Sequence, residues 1–159
     1  MKLFVISDTH GKIDKALAVY EKLHSIDLII HLGDLVSDAV KISGFTGKAM
    51  VNVKGNNDFA YSTEDFRILE TEYGNLLLTH GHKQNVKHSL HNLLYRTEEL
   101  NCKAALFGHT HVPAFIESNG IYLLNPGSLT FPNDGTSGSY AIVNTSKNDF
   151  SASIVYYKG

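Results

Sequence analysis

A mixed α/β fold with two packed β-sheets is the class that the sequence predicts. Three observations lead there. Five short apolar runs, several rich in β-branched residues, read as buried strands. Amphipathic stretches at helical spacing lie between them in the first two-thirds of the chain. The last third carries strand patterns and turn signals but no helix pattern, and reads as antiparallel β.

The elements follow in order. Leu3-Phe4-Val5-Ile6-Ser7 reads as a strand and runs into Asp8-Thr9-His10. Ile13, Ala16, Leu17, Tyr20 and Leu23 predict a helix over Lys12–Ser25. Asp27-Leu28-Ile29-Ile30-His31 is the next strand and meets Leu32-Gly33-Asp34. A short helix is expected near Ser37–Ser43, then a loop over Gly44–Lys48. That loop is too short for a phosphate loop, and Ala49 stands where a Ser or Thr is required. Ala49–Lys54 forms the third strand and ends at Gly55-Asn56-Asn57-Asp58. Asn57–Glu64 is polar and reads as a loop.

Phe66–Glu72 and Leu76–Thr79 predict a hairpin around Tyr73-Gly74-Asn75, whose second arm runs into His80-Gly81-His82. Val86, Leu90, Leu93, Leu94 and Thr97 share one face of a helix expected over Gln84–Leu100. Ala104–Phe107 ends at Gly108-His109-Thr110-His111. Ala114–Ser118, Ile121–Leu124, Tyr140–Asn144 and Ser151–Tyr157 complete the strands. Asn119-Gly120 is a two-residue hairpin signal. With no linker or repeat, residues 1–159 read as one domain in which the two sheets pack together.

Gross properties exclude several classes. The chain has 159 residues, an apolar share of 43% and a net charge of −2. It lacks an apolar stretch of membrane-spanning length, so no membrane role is expected. It opens directly into a strand without signal-peptide features, so a cytoplasmic location is expected. A single cysteine, Cys102, excludes an internal disulfide and a Cys-rich zinc site. Without a basic run, polymeric nucleic acid is not expected as a partner. A small anionic substrate is compatible, because bound metals supply positive charge locally.

The strand-end residues Asp8, His10, Asp34, Asn56, His80, His109 and His111 form a mixed carboxylate, imidazole and amide set. Such a set suits borderline divalent ions: Mn²⁺ first, with Zn²⁺, Fe²⁺ or Ni²⁺ as alternatives. Seven ligands are too many for one tetrahedral ion and about right for two ions sharing a carboxylate. Paired ions are a known means of hydrolysing phosphate esters. Asp8-x-His10 and His109-x-His111 would each place two ligands on one side of an extended segment.

The ordered blocks Asp8-x-His10, Gly33-Asp34, Gly55-Asn56-x-Asp58, His80-Gly81-His82 and Gly108-His109-x-His111 resemble the calcineurin-like metallophosphoesterases. The small size and Asn125-Pro126-Gly127-Ser128 are similar to the compact YfcE-type phosphodiesterase branch. The resemblance spans Met1 to about Ser128. It implies a four-layer αββα sandwich: two mixed sheets flanked by helices, with the metal site at the strand C-terminal ends. It also implies that Asp8, His10, Asp34 and His111 hold one ion. Asp34, Asn56, His80 and His109 would hold the other, with Asp34 bridging and a bridging hydroxide attacking phosphorus. Asp34, Asn57, Asp58 and His82 are the residues expected to assist catalysis.

One position departs from the wider family. A leaving-group histidine often stands between the residues matching Asn56 and Asp58; here it is Asn57, which is not a proton donor at neutral pH. General acid–base help is typically worth about 10²–10⁴-fold. The departure favours substrates with good leaving groups.

Other polar residues have plainer readings. His31 reads as a structural, hydrogen-bonded residue. His24, His88 and His91 read as helix-surface residues, and Cys102 as a small buried one. Thr9 lends a hydroxyl or amide to phosphate, or simply ends a strand. The sequence therefore predicts a metal-dependent phosphodiesterase for a small phosphodiester. The alternative is a non-catalytic, retromer-subunit-like metal-binding scaffold; a nuclease ranks third. Homo-oligomerisation stays open.

Overall fold

Residues that run uninterrupted as apolar in the sequence divide between two faces once the chain is extended. In β1 (Lys2–Ile6), Leu3 and Val5 enter the layer between the sheets, and Phe4 and Ile6 face the helices. The same alternation separates Leu76 and Leu78 from Leu77 in β5 (Asn75–Thr79), and Ala104 and Leu106 from Ala105 in β6 (Ala104–Leu106). Complete burial of the larger side chains, Leu, Val, Ile and Phe, contributes about 1.5–3 kcal/mol each. This computed structural model describes residues 1–59 and 62–158. Ala60 and Tyr61, in the loop expected over Asn57–Glu64, and Gly159 lie outside the described residues.

β1 pairs in parallel with β2 (Leu28–His31), and β2 with β3 (Met50–Asn52). The antiparallel pair β9 (Ser139–Ser146) and β10 (Asp149–Tyr156) joins the other side of β1, giving the order β10-β9-β1-β2-β3. The second sheet runs β4-β5-β6-β8-β7, with β4 Phe66–Glu70, β7 Ala114–Ser118 and β8 Ile121–Asn125. Helices α1 (Asp14–Lys22) and α2 (Val36–Thr46) cover the outer face of the first sheet. Helix α3 (His91–Glu99) covers that of the second. The four layers are thus those expected, αββα.

Three expectations are corrected. The strand-rich tail divides between the sheets: β8 pairs in parallel with β6, and β9 pairs antiparallel with β1. Leu124, Ala141 and Val143 can then enter the common inter-sheet core. The helix expected near Ser37–Ser43 continues to Thr46. Gly44 faces open space, and the helix stops at Gly47, whose φ of +62° closes it.

The third correction lies near the site. A helix expected over Gln84–Leu100 begins only at His91. A 3₁₀ turn, His82–Gln84, precedes it and ends at Asn85 in the left-handed region, φ +56°. Val86 keeps its burial by tucking against Gly81 and Phe107. The non-helical path leaves Lys87 beside the strand-end groups. Among the described residues, no helix is long and apolar enough to cross a membrane.

Candidate metal centre

The parallel strands β1, β2 and β3 of one sheet and β5 and β6 of the other end at a common edge. Their following residues form a pocket of about 470 Å³. Asp8, His10, Asp34, Asn56, Asn57, His109 and His111 line it, with Lys87, Phe131 and Asn133 at its margin. His80 lies beneath, with no exposure.

The backbone reaches this arrangement differently from the extended geometry expected. Asp8, His10, His109 and His111 have φ of +56°, +48°, +70° and +59°. Asp34 joins them at +90°. Asp, Asn and His enter this region more readily than branched residues, but single strained positions still cost on the order of 1–3 kcal/mol. Five of the nine non-glycine positions with positive φ among the described residues are thus expected ligands. The loops also crowd one another. A Cβ at Gly55 would lie 2.3 Å from the Asp34 amide nitrogen.

Hydrogen bonds fix which atoms remain for an ion. Asp8 Oδ2 accepts from the Ser7 hydroxyl at 2.6 Å and the His109 amide at 2.9 Å. Asp8 Oδ1 is buried without a hydrogen-bond partner, although His111 Nε2 lies 3.3 Å away. Asp34 Oδ1 accepts from Asn57 Nδ2 at 2.5 Å. Asp34 Oδ2 has no partner in hydrogen-bond geometry, with His10 Nδ1 2.7 Å away.

The imidazoles are oriented by main-chain carbonyls. His80 Nδ1 donates to Leu32 O at 2.8 Å, and His111 Nδ1 donates to Phe131 O at 2.7 Å. Neutral rings then present Nε2 unprotonated, the tautomer that metal-bound histidines adopt. His80 Nε2 faces Asn56 Oδ1 at 3.0 Å and His109 Nδ1 at 3.2 Å. His111 Nε2 faces His10 Nε2 at 3.2 Å. Acceptors converging on acceptors are stable only around a proton or a cation. Two groups have donor atoms mutually within 4.8 Å: Asp8, His10 and His111, and Asp8, Asp34 and His80. Asp8 belongs to both, and Asp34 also reaches toward His10.

Electrostatics follow the same geometry. Burial alone would raise the Asp8 carboxyl, but His111, His80 and Ser7 outweigh it and bring it down to about 2. Burial, reinforced by His80 and Lys87, pushes His109 down to about 4. Contact with Asp8 raises His111. Asp8 therefore offers a carboxylate, and His109 a neutral ring, at neutral pH.

Two residues expected to assist catalysis sit behind the cluster. Asp58 Oδ1 accepts from Val36 N at 2.8 Å and Oδ2 from Gly55 N at 2.9 Å, so it ties the first turn of α2 to the Asn56 loop. This is a supporting position outside the pocket lining. His82 is half-buried, its ring centroid 5.4 Å from His80 and 6.1 Å from His109. Its Nδ1 is buried without a partner, and burial lowers its pKa.

Sequence reasoning assigned no role to several supporting groups. Asn125 Nδ2 donates to Gly108 O at 2.9 Å, and Ser128 Oγ to Asp8 O at 2.9 Å. Asn125-Pro126-Gly127-Ser128 thus braces the loops of β1 and β6 across the sandwich. Their pattern in the resemblance was the available signal. Lys87, Phe131 and Asn133 carried none, because only the folded path brings them to the pocket. The Thr9 hydroxyl is buried and held by Asp38 and His31.

Comparison with known proteins adds the family context. The model of the calcineurin-like phosphoesterase superfamily domain matches residues 1–148. The probable metallophosphoesterase YsnB of Bacillus subtilis is 35% identical, over 99% of this chain and 90% of its own length. Phosphodiesterase YfcE of Escherichia coli is 26% identical, over 90% of this chain and 87% of its own. The solved structure of wild-type Vps29 of Entamoeba histolytica, complexed with Zn²⁺, shares the fold with a TM-score of 0.79 at 20% identity. It covers 98% of this chain and 99% of its own.

Proposed function

The chain belongs to the calcineurin-like phosphoesterase superfamily, and from that premise we propose that it is a dinuclear, metal-dependent phosphodiesterase acting on a small phosphodiester. One observation carries the reading. Asp8 Oδ1 and Asp34 Oδ2 are buried without hydrogen-bond partners and face ring nitrogens of His10, His80 and His111. This donor set fits divalent ions such as Mn²⁺, with Zn²⁺, Fe²⁺ and Ni²⁺ as alternatives.

In this reading Asp8, His10, Asp34 and His111 hold one ion, and Asp34, Asn56, His80 and His109 the other. Bound ions supply Lewis-acid polarisation of a phosphoryl oxygen and a water of lowered pKa. The chain's own residues orient the set. Leu32 O and Phe131 O fix the rings of His80 and His111, and Asn57 holds Asp34 by one oxygen. Asn57 donates hydrogen bonds but no proton, which favours diesters with good leaving groups. The 470 Å³ pocket suits a small substrate, and the absence of a basic run in the sequence disfavours polymeric nucleic acid.

Hydrolysis of bis-p-nitrophenyl phosphate with added Mn²⁺ tests this reading. We expect activity in the parent and a loss of at least about 10²-fold in His80→Ala and Asp34→Asn, the scale on which metal-site partners act. Equal activity in both variants and the parent refutes the proposal. The fold shared with Vps29 supports a second reading, a metal-binding scaffold. Tight Mn²⁺ binding without hydrolysis of any phosphodiester or monoester tried would favour it.

A further inference from the structure

Beneath the ligand loops lies a second polar group that the proposed chemistry does not use. His31, Thr9 and Asp38 each have no solvent exposure. Gly33 N–H points at His31 Nδ1 at 3.2 Å, so Nδ1 is the acceptor and Nε2 carries the proton. His31 Nε2 then donates to Thr9 Oγ1 at 3.0 Å, and Thr9 Oγ1 donates to Asp38 Oδ2 at 2.6 Å. Gly11 N–H donates to the same Asp38 oxygen at 2.7 Å. Every proton position in the line follows from the two amides at its ends.

Those ends matter. Gly33 precedes Asp34, and Gly11 follows His10; Thr9 stands between Asp8 and His10. All three of those ligands hold positive φ. Asp8 N also donates to Gly33 O at 3.2 Å, so the two loops are stitched by main chain and side chain together. A left-handed pair flanking one residue persists only where the surroundings over-determine it. The buried line supplies that constraint from below, and α2 anchors it through Asp38.

We propose that His31, Thr9 and Asp38 form a positioning relay that holds Asp8, His10 and Asp34 in ligating geometry and sets the affinity of the ion bound by Asp8, His10 and His111. The inference rests on the dinuclear reading. None of the three is exposed or lines the pocket. The relay joins the loops of β1 and β2, which carry three ligands of that ion (Asp8, His10 and Asp34) but only the shared Asp34 of the other, so its effect falls on one ion more than on the other. Asn56, His80 and His109 come from other loops, with His80 fixed separately by Leu32 O.

The test is Mn²⁺ binding to the folded, metal-free chain, followed by calorimetry and by the electron spin resonance of bound Mn²⁺, with folding checked by circular dichroism. In Thr9→Val, which keeps the shape and removes the hydroxyl, one of two Mn²⁺ ions is expected to bind about 10–100-fold more weakly. The other stays within about threefold. Thr9→Ser, which restores the hydroxyl, is expected to return to within about threefold of the parent. A residue that merely supports the fold would lower the melting temperature of both variants without separating the two ions. Thr9→Val binding both ions as the parent does overturns the proposal. Should Thr9→Val not fold, Asp38→Asn serves the same comparison. Selective weakening of one ion supports the relay, and unchanged affinities overturn it. A parent that binds no Mn²⁺ refutes the dinuclear reading and the relay together. A parent that binds two ions, with variants that match it, refutes the relay alone.

Discussion

The floor and the rim of the pocket are made of different materials. On the floor, Asp8, Asp34 and His80 are at most 2% exposed, and each is fixed by named hydrogen bonds that leave specific atoms pointing inward. On the rim, Asn56, Asn57 and Lys87 are exposed. Lys87 makes no ion pair among the described residues. The floor is determined from several directions at once; on the rim, Asn56 and Asn57 each meet one floor residue, His80 and Asp34, and Lys87 is placed by loop path alone. The difference separates two properties. In the proposed reading ion binding belongs to the buried floor together with Asn56, and choice of substrate to the exposed part, Lys87 foremost, where a side chain can change without disturbing the fold.

The largest expected effect breaks the floor. A Cβ at Gly108 would lie 2.0 Å from Ser7 Oγ and 2.8 Å from Asp8 Oδ2, and both of those residues are buried. Gly108→Ala is expected to lose about 3 kcal/mol of stability or more in urea denaturation, and to lose Mn²⁺ binding as Asp8 is displaced. Gly44→Ala meets nothing within 4 Å on the outer helix. It is expected to gain about 0.5–1 kcal/mol. Similar stability in the two variants would mean that the floor can relax, and the contrast would fail.

A second test uses acid. Burial depresses His31 to about 4 from an ordinary value near 6.5, against the opposing pull of Asp8 and Asp38. Above pH 6.5 the ring is neutral in both the folded and unfolded chains. Between about 6.5 and 4 the unfolded chain takes up a proton that the folded chain refuses. Stability therefore falls as pH drops through that window and levels off below it. For one fully buried ring the loss reaches about 3 kcal/mol. His31→Gln removes the titration. Metal-free parent and variant, compared between pH 7 and 4.5, should differ in their loss by about 2–3 kcal/mol. Other groups, His109 among them, titrate in both and cancel. Equal losses would show that His31 is reached by water.

Asp58 probes the join between floor and rim. It bonds Val36 N and Gly55 N, one on α2 and one beside Asn56. Asp58→Ala leaves two buried amides unpaired, and about 2 kcal/mol of stability should be lost. Its kcat at saturating Mn²⁺ should remain within about tenfold of the parent, because no catalytic contact is removed. A fall of 10³-fold with unchanged stability would return Asp58 to the catalytic group.

The floor was also the legible part. An apolar run followed closely by Asp, His or Asn marks a strand ending in an expected ligand. All five such runs are parallel strands ending at one edge. The spacing argument for Asp8-x-His10 reached the right neighbours by the wrong geometry. Left-handed backbone, not extended chain, brings the two together. Asp38 was illegible because one acid on an amphipathic helix resembles any solvated position. Its burial depends on Thr9, 29 residues away. The tail misled for a related reason. Alternation reveals a strand but not its partner, and β8 found β6 while β9 found β1. The false start of α3 shows the limit of periodicity. Val86 and Leu90 keep helical spacing, yet Asn85 turns the chain between Gln84 and the helix.

That turn produces the smallest and most selective expected effect. Lys87 is the one cation among the residues lining the pocket, facing the cluster side that His109 occupies. It is exposed, so its attraction for an anionic substrate is screened and worth at most about 1 kcal/mol. Lys87→Ala should leave melting temperature and Mn²⁺ affinity unchanged and raise KM about fivefold with kcat within twofold. The ratio of parent to variant KM should shrink as salt rises from 50 mM to about 0.5 M, where the screening length falls below the width of the pocket. A matching loss in kcat would place the ammonium on charge that develops during reaction, and the rim would then be part of the catalytic apparatus. An effect on Mn²⁺ affinity would do something different: it would tie the rim to the floor, and the division between rigid chemistry and adjustable recognition would not hold for this fold.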